Sequence, residues 1–266
     1  MLLSSNSTGF QVIGVIPARL ASTRLPRKVL RELAGKPMLA WVYEAAASTR
    51  VFSRLLVATD SEEVASVCRE RGWEYRLTSA ELPSGTDRVH AVAQQLAAED
   101  TSKSSAAAIS EGDIFVNIQG DEPLLRPEHF RALLRPFARP HVEVATVMTP
   151  CPAEGIQNPN TVKVVLDHEG RALYFSRAPI PWNRDEHSGV QYWKHLGLYA
   201  YKKRVLDRFP NLPPSQLEST ERLEQLRLLE NGITIHVEPV DFDTVGVDTE
   251  DDLLAAAVVL RQRAKE

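Results

Sequence analysis

The chain has 266 residues, 43% of them hydrophobic and 25% charged, enough to bury a core without disulfide or metal staples, and its 13 glycines and 17 prolines fall far short of a low-complexity chain. Its 35 acidic and 31 basic residues leave a net charge of −4, which argues against a duplex-wrapping nucleic-acid binder, and no apolar run approaches the roughly 18 residues needed to span a bilayer. The two cysteines, Cys68 and Cys151, form no CxxC pair, which argues against a disulfide framework or a cysteine zinc site and suits a reducing cytoplasm.

Residues 1–10 read as a frayed N-terminal extension without the basic front of a secretory signal. QVIGVIPA (11–18) is a Val/Ile-rich run fit for a buried parallel strand. A polar, basic loop follows, then a turn at Gly35–Pro37 and a helix over 38–48. RLLVATD (54–60) predicts a second strand; Ser61 caps the next helix, which has an acidic first turn and Gly72 past its end. WEYRL is a third strand, 86–98 a helix, 99–112 a Ser/Ala-rich surface loop, and DIFVNIQ (113–119) a fourth strand. This alternation predicts a parallel sheet with helices on both faces. After about residue 140 the strands crowd together: VEVATVMTP, TVKVVLD and ALYFS, with a turn at 168–170, indicate hairpins. A loop at 183–191 precedes the strand HLGLYAY (195–201). Leucines at 217, 223, 226, 228 and 229 mark one helical stripe over 217–232; ITIHVEPV is a strand, and Asp248 opens a last helix. No internal repeat or long linker interrupts this single α/β unit.

Ligands of an open parallel sheet bind beyond the carboxyl ends of its strands. After the first strand come Arg19, Ser22, Thr23, Arg24, Arg27 and Lys28. No Walker loop is present, yet several cations in a loop at a strand end suit a triphosphate; a solvated basic loop fits the same charges. After the fourth strand, QGDEPLL (119–125) offers Asp121 and Glu122, either ligands for Mg²⁺ beside a phosphate or an acidic turn. Asp248 is a helix cap or a second ligand of the same metal. His195 in a strand reads first as a partly buried structural histidine, and Trp182 and Trp193 as packing or interface residues.

The ordered set VIPARLASTRLP, GKPM, VATD, SGTDR, VNIQGDEP, NPNTVKVV, ALYFSRAPIPW, HLGLYAY, LEQLR and GVDTEDD closely resembles the 3-deoxy-manno-octulosonate (Kdo) cytidylyltransferases from about residue 12 to about residue 255. The resemblance implies an α/β sandwich of the nucleotide-diphospho-sugar transferase type. It has a mostly parallel central sheet, one domain over 11–266, and an inserted hairpin region (about 161–201) that forms a homodimer interface. It implies a cytoplasmic enzyme, with no nucleic-acid or membrane partner, that joins CTP and Kdo into CMP-Kdo and pyrophosphate with Mg²⁺ for lipopolysaccharide synthesis. Arg19, Ser22, Arg24 and Lys28 would hold the triphosphate, with Arg19, Lys28, Asp121 and Asp248 catalytic. Ser84, Gly85 and Thr86 would line the cytosine pocket, and Asp121 and Asp248 would bind the metal. Gln119, Arg177, His195, Glu224 and Gln225 would form the sugar side, with Arg177 meeting the sugar carboxylate. The alternatives are the same reaction on the 8-amino analogue or another acidic sugar of the sialate type, or a CTP-binding module without chemistry. The family carries glycine before the loop lysine; here Arg27 stands there, expected to take an ordinary conformation or to project outward.

Overall fold

The apolar run at residues 11–18 forms β1 (Val12–Pro17), with Ile13, Val15 and Ile16 fully buried. The structure is a computed structural model that describes residues 10–20, 22, 24–103, 108–185 and 189–263. The N-terminal extension up to residue 9 and Thr23 therefore lie outside the described residues. After β1, the tiny hairpin β2 (Glu32–Leu33) and β3 (Lys36–Pro37) turns through Ala34 and Gly35, both at positive φ. It leads into α1 (Met38–Ser48), then β4 (Arg54–Thr59), α2 (Glu62–Arg71) and β5 (Glu74–Leu77). The ends of α2 follow from its sequence: the Val64 N–H donates to Ser61 Oγ, and Gly72 closes the helix at φ 67°.

Next come α3 (Gly85–Lys103), β6 (Ile114–Asn117), α4 (Pro127–Leu134), β7 (Val144–Pro150) and the short α5 (Ala153–Ile156). The helix α3 carries on into the stretch 99–103 expected as loop, because Glu99 still sits on a helical face where it pairs with Arg76. Residues 104–107 of that stretch lie outside the described residues. Then follow β8 (Lys163–Leu166), β9 (Ala172–Ser176), β10 (Trp193–Lys202), α6 (Lys203–Arg208), α7 (Gln216–Glu221), α8 (Gln225–Glu230), β11 (Ile235–Pro239) and α9 (Glu250–Arg263).

Two helix expectations need correction. The stripe over 217–232 is broken into α7 and α8, since Arg222 takes φ 55°, a left-handed stop that aligned leucines do not reveal. The last helix is capped by Thr249, not Asp248. Thr249 Oγ1 accepts from the Asp252 N–H at 3.2 Å while Asp252 Oδ2 accepts from the Thr249 N–H at 2.9 Å, a reciprocal capping box.

The sheet runs β11-β7-β10-β6-β1-β4-β5, with β8 and β9 attached beside β10. Along that path β10 runs against both neighbours and the other strands share one direction. One face packs under α1, α2 and α4 through Leu39, Val42, Val64 and Phe130; the other packs under α3, α6 and α8 through Val89, Val92, Val205 and Leu226. Burial on both faces explains why β1 and β6 are continuously apolar rather than alternating. A third, smaller cluster joins α9 to Leu25, Leu33 and Met38, and so brings the C-terminal helix alongside the loop after β1. Among the described residues no helix is long and apolar enough to cross a membrane.

Candidate active site

At the carboxyl ends of β1 and β6 lies a cleft of about 350 Å³. Arg19, Ser22, Arg24 and Lys28 line it from the loop after β1, Gly85 from the start of α3, Gln119 and Asp121 from the exit of β6, and Asp248 from the turn before α9. The loops are fixed against each other by backbone. The Val247 N–H donates to the Asp121 carbonyl at 2.9 Å, and the Ile118 N–H to the Val15 carbonyl at 2.9 Å. Pro17, Val29 and Gly120 also line the cleft, although their sequence context had not marked them. At Gly120 a Cβ would stand 2.7 Å from the Pro17 carbonyl oxygen, so only glycine lets the exit of β6 cross the end of β1 this closely.

Asp121 and Asp248 converge on one positive charge. Lys28 Nζ donates to Asp121 Oδ2 at 2.6 Å and to Asp248 Oδ1 at 2.9 Å, and Arg24 pairs with Asp248 Oδ2 at 2.9 Å. Burial alone would lower the Lys28 pKa; the two carboxylates outweigh it and raise the value. Because Thr249 and Asp252 cap α9 between themselves, the Asp248 carboxylate is left to face the cleft. The side chain of Arg19 donates to the Leu82 carbonyl, tying this loop to the segment before α3. Arg27 corrects its expectation in part: it does project outward, pairing with Glu63 on α2, but its backbone is left-handed at φ 57°, the conformation glycine takes without cost.

The SGT residues divide. Gly85 lines the cleft, whereas Ser84 Oγ accepts from the Asp87 N–H at 3.1 Å as a helix cap, and Thr86 is buried and donates to Glu224 Oε2 at 2.6 Å. Beneath Gly85 the Asn117 side chain has a buried Oδ1 with no hydrogen-bond partner among the described residues. Its only sequence signal is a polar residue closing the apolar run of β6. Burial raises the Glu224 pKa, partly offset by the Thr86 bond. Gln225 is buried, its Nε2 without a hydrogen-bond partner among the described residues, and Gln119 Nε2 donates to the Gly197 carbonyl at 3.4 Å.

Arg177 and His195 stand apart from the cleft lining. The Arg177 guanidinium is engaged with the backbone carbonyls of Glu221 (2.6 Å), Pro159 (2.9 Å) and Arg222 (3.4 Å), stapling β9 to the end of α7. His195 is enclosed by Phe175, Tyr199 and Thr146, and burial lowers its pKa to about 3, so it is neutral at physiological pH. Glu122, beside Asp121, is raised to about 8 by burial and then by the Asp121 charge.

A family model described as cytidylyltransferase matches residues 13–235. The chain is 55% identical over 258 residues to the 3-deoxy-manno-octulosonate cytidylyltransferase of Acidobacterium capsulatum, covering 97% of this chain and 100% of that protein. The enzyme of the same name from Koribacter versatilis is 53% identical over 253 residues, covering 95% and 91%. A solved structure of CMP:2-keto-3-deoxy-manno-octonic acid synthetase complexed with CTP superposes with a TM-score of 0.86 at 38% identity, covering 95% of this chain and 99% of that one. Fold, cleft and full-length likeness agree: the chain belongs to the cytidylyltransferase family, among relatives named 3-deoxy-manno-octulosonate cytidylyltransferase.

Proposed function

We infer that this chain transfers the cytidylyl group of CTP to Kdo, releasing pyrophosphate and forming CMP-Kdo for cell-envelope polysaccharide synthesis. One observation carries the reading: two aspartates from distant parts of the chain meet around a single cation beside a loop of arginine, serine and lysine. Two convergent carboxylates fit Mg²⁺, which takes one or two protein carboxylates and completes its shell with phosphate oxygens and water. Asp121 and Asp248 would hold it, and bound there it supplies Lewis-acid stabilisation of the α-phosphate and acidifies the sugar hydroxyl.

The residues then have distinct work. Lys28, Arg19 and Arg24 bind the phosphates and offset the charge that accumulates on departing pyrophosphate. Ser22 and the α3 start at Ser84–Thr86 orient the nucleotide, with Asn117 Oδ1 under the Gly85 backbone an acceptor that has no partner among the described residues. Gln119, Glu224 and Gln225 face the sugar acid, and Arg177 and His195 shape the wall behind it. Holding the anomeric hydroxyl in line with the leaving group turns a bimolecular step into a local one, so positioning supplies much of the rate. In this reading the hairpin region couples two copies into a homodimer that works in the cytoplasm.

The test is pyrophosphate release with CTP, Mg²⁺ and a panel of acidic sugars including 8-amino-Kdo and a sialic acid. Turnover on Kdo is expected to exceed the others; signal confined to a different sugar would reassign the substrate. Asp121→Asn is expected to lower turnover by more than about 100-fold while the circular dichroism spectrum stays unchanged. Turnover near wild type in that variant would remove Asp121 from the metal site.

A further inference from the structure

At the end of the sheet opposite the cleft, where β7 and β11 begin, lies a recess of about 220 Å³. It is lined by His141 and Glu143 ahead of β7, Arg171 from the β8–β9 hairpin, Arg208 at the end of α6, and His236 in β11. None of these residues lines the nucleotide cleft. His236 is 4% exposed, and its Nδ1 is buried with no hydrogen-bond partner among the described residues. Its ring meets that of His141 with centroids 5.9 Å apart.

The charges around it are unevenly spent. Glu143 is paired with Arg204, and Arg171 with Asp167 and Glu169. Arg208 is exposed and makes no ion pair among the described residues, so the recess keeps one uncommitted guanidinium. After burial itself, Arg139, His141 and Arg171 lower the His236 pKa from its ordinary value, and Asp167 opposes them. A buried ring nitrogen without a partner is a standing deficit that a bound acceptor would remove. A guanidinium fork and imidazole N–H groups around a small concavity are the donor set that tetrahedral oxyanions take. The recess also straddles a joint: Arg171 and His236 form an isolated antiparallel bridge, and the Val237 N–H donates to the Gly170 carbonyl at 2.9 Å.

We propose that this recess binds a small phosphate-class oxyanion, its charge met by Arg208 and one of its oxygens accepting from His236 Nδ1–H. An anion held there joins α6, β11 and the hairpin tip, and so stiffens the hairpin from the side remote from catalysis. The occupant is either inorganic phosphate or pyrophosphate, which share this chemistry.

The experiment uses the full chain with ¹⁵N-labelled histidines, saturated with CTP so that the catalytic cleft is filled, at fixed pH. Phosphate and pyrophosphate are titrated separately while the ring resonances of His141 and His236 are followed. A saturable shift of both histidines is expected, with a midpoint of about 1 mM or tighter for the true occupant. Arg208→Gln and, separately, His141→Gln are expected to raise that midpoint at least about tenfold, with basal turnover unchanged. No saturable His236 shift with either anion, or a midpoint unaltered in Arg208→Gln, would overturn the site.

Discussion

Arg27 shows how a single backbone angle can outlast the residue type suited to it. Its φ of 57° places an L side chain where glycine is favoured, and the outward guanidinium compensates with an exposed pair to Glu63. Such a surface pair contributes about 0–1 kcal/mol, whereas the left-handed conformation costs an L-residue about 1 kcal/mol relative to glycine. Arg27→Gly and Arg27→Ala both lose the ion pair and differ only in backbone. Arg27→Gly is expected to be more stable than Arg27→Ala by about 1 kcal/mol in urea denaturation; equal midpoints would mean the loop relaxes out of the left-handed region. His195 makes a second prediction. Its ring is uncharged in the folded protein down to about pH 3, while the unfolded chain protonates near the ordinary histidine value of 6.5. The unfolded state therefore binds more protons between those limits, and the contribution to stability, intact above pH 6.5, is lost as the pH falls toward 3. In His195→Gln the acid side of the stability–pH curve should flatten by on the order of 1 kcal/mol per pH unit at most. An unchanged slope would place a proton on the native ring.

Among elements, the turn before α9 links folding to chemistry most directly. Thr249 and Asp252 satisfy the helix start between them, which frees Asp248 to reach Lys28. Thr249→Ala is expected to cost about 1 kcal/mol of stability and to lower pyrophosphate release about tenfold or more, because the residue before the cap loses its fixed direction. A stability loss without any rate loss would separate the cap from the site. Much of the element pattern was legible beforehand where local physics decides it. The apolar run of β1, the Ser61 and Gly72 ends of α2, and the 38–48 helix all depend on neighbours in sequence. The break at Arg222 was hidden, since a left-handed residue other than glycine has no local signature. The convergence of Asp121 and Asp248 needs the Val247–Asp121 backbone bond, a contact across more than a hundred residues. Asn117 stayed unnoticed because one polar residue at the end of a strand reads as a boundary.

For the whole molecule, the sheet separates two unlike ends: a cleft where β1 and β6 stop and a histidine-bearing recess where β7 and β11 start. Alongside, the hairpin region carries Leu173 at 61% and Trp182 at 76% exposure, large apolar side chains at positions consistent with a partner surface. Sedimentation of the wild type is expected to give a dimer, and Leu173→Asp combined with Trp182→Asp a folded monomer; a wild type that sediments as a monomer would withdraw the interface. Finally, the ammonium of Lys28 lying between two carboxylates means that the protein carries its own stand-in counterion. The two carboxylates are thereby held close together across one shared ammonium. A divalent ion held by Asp121 and Asp248 would take the place that the Lys28 ammonium fills between them. The lysine so released would still line the cleft beside Arg19 and Arg24, where the phosphates of a nucleotide would be its new partners.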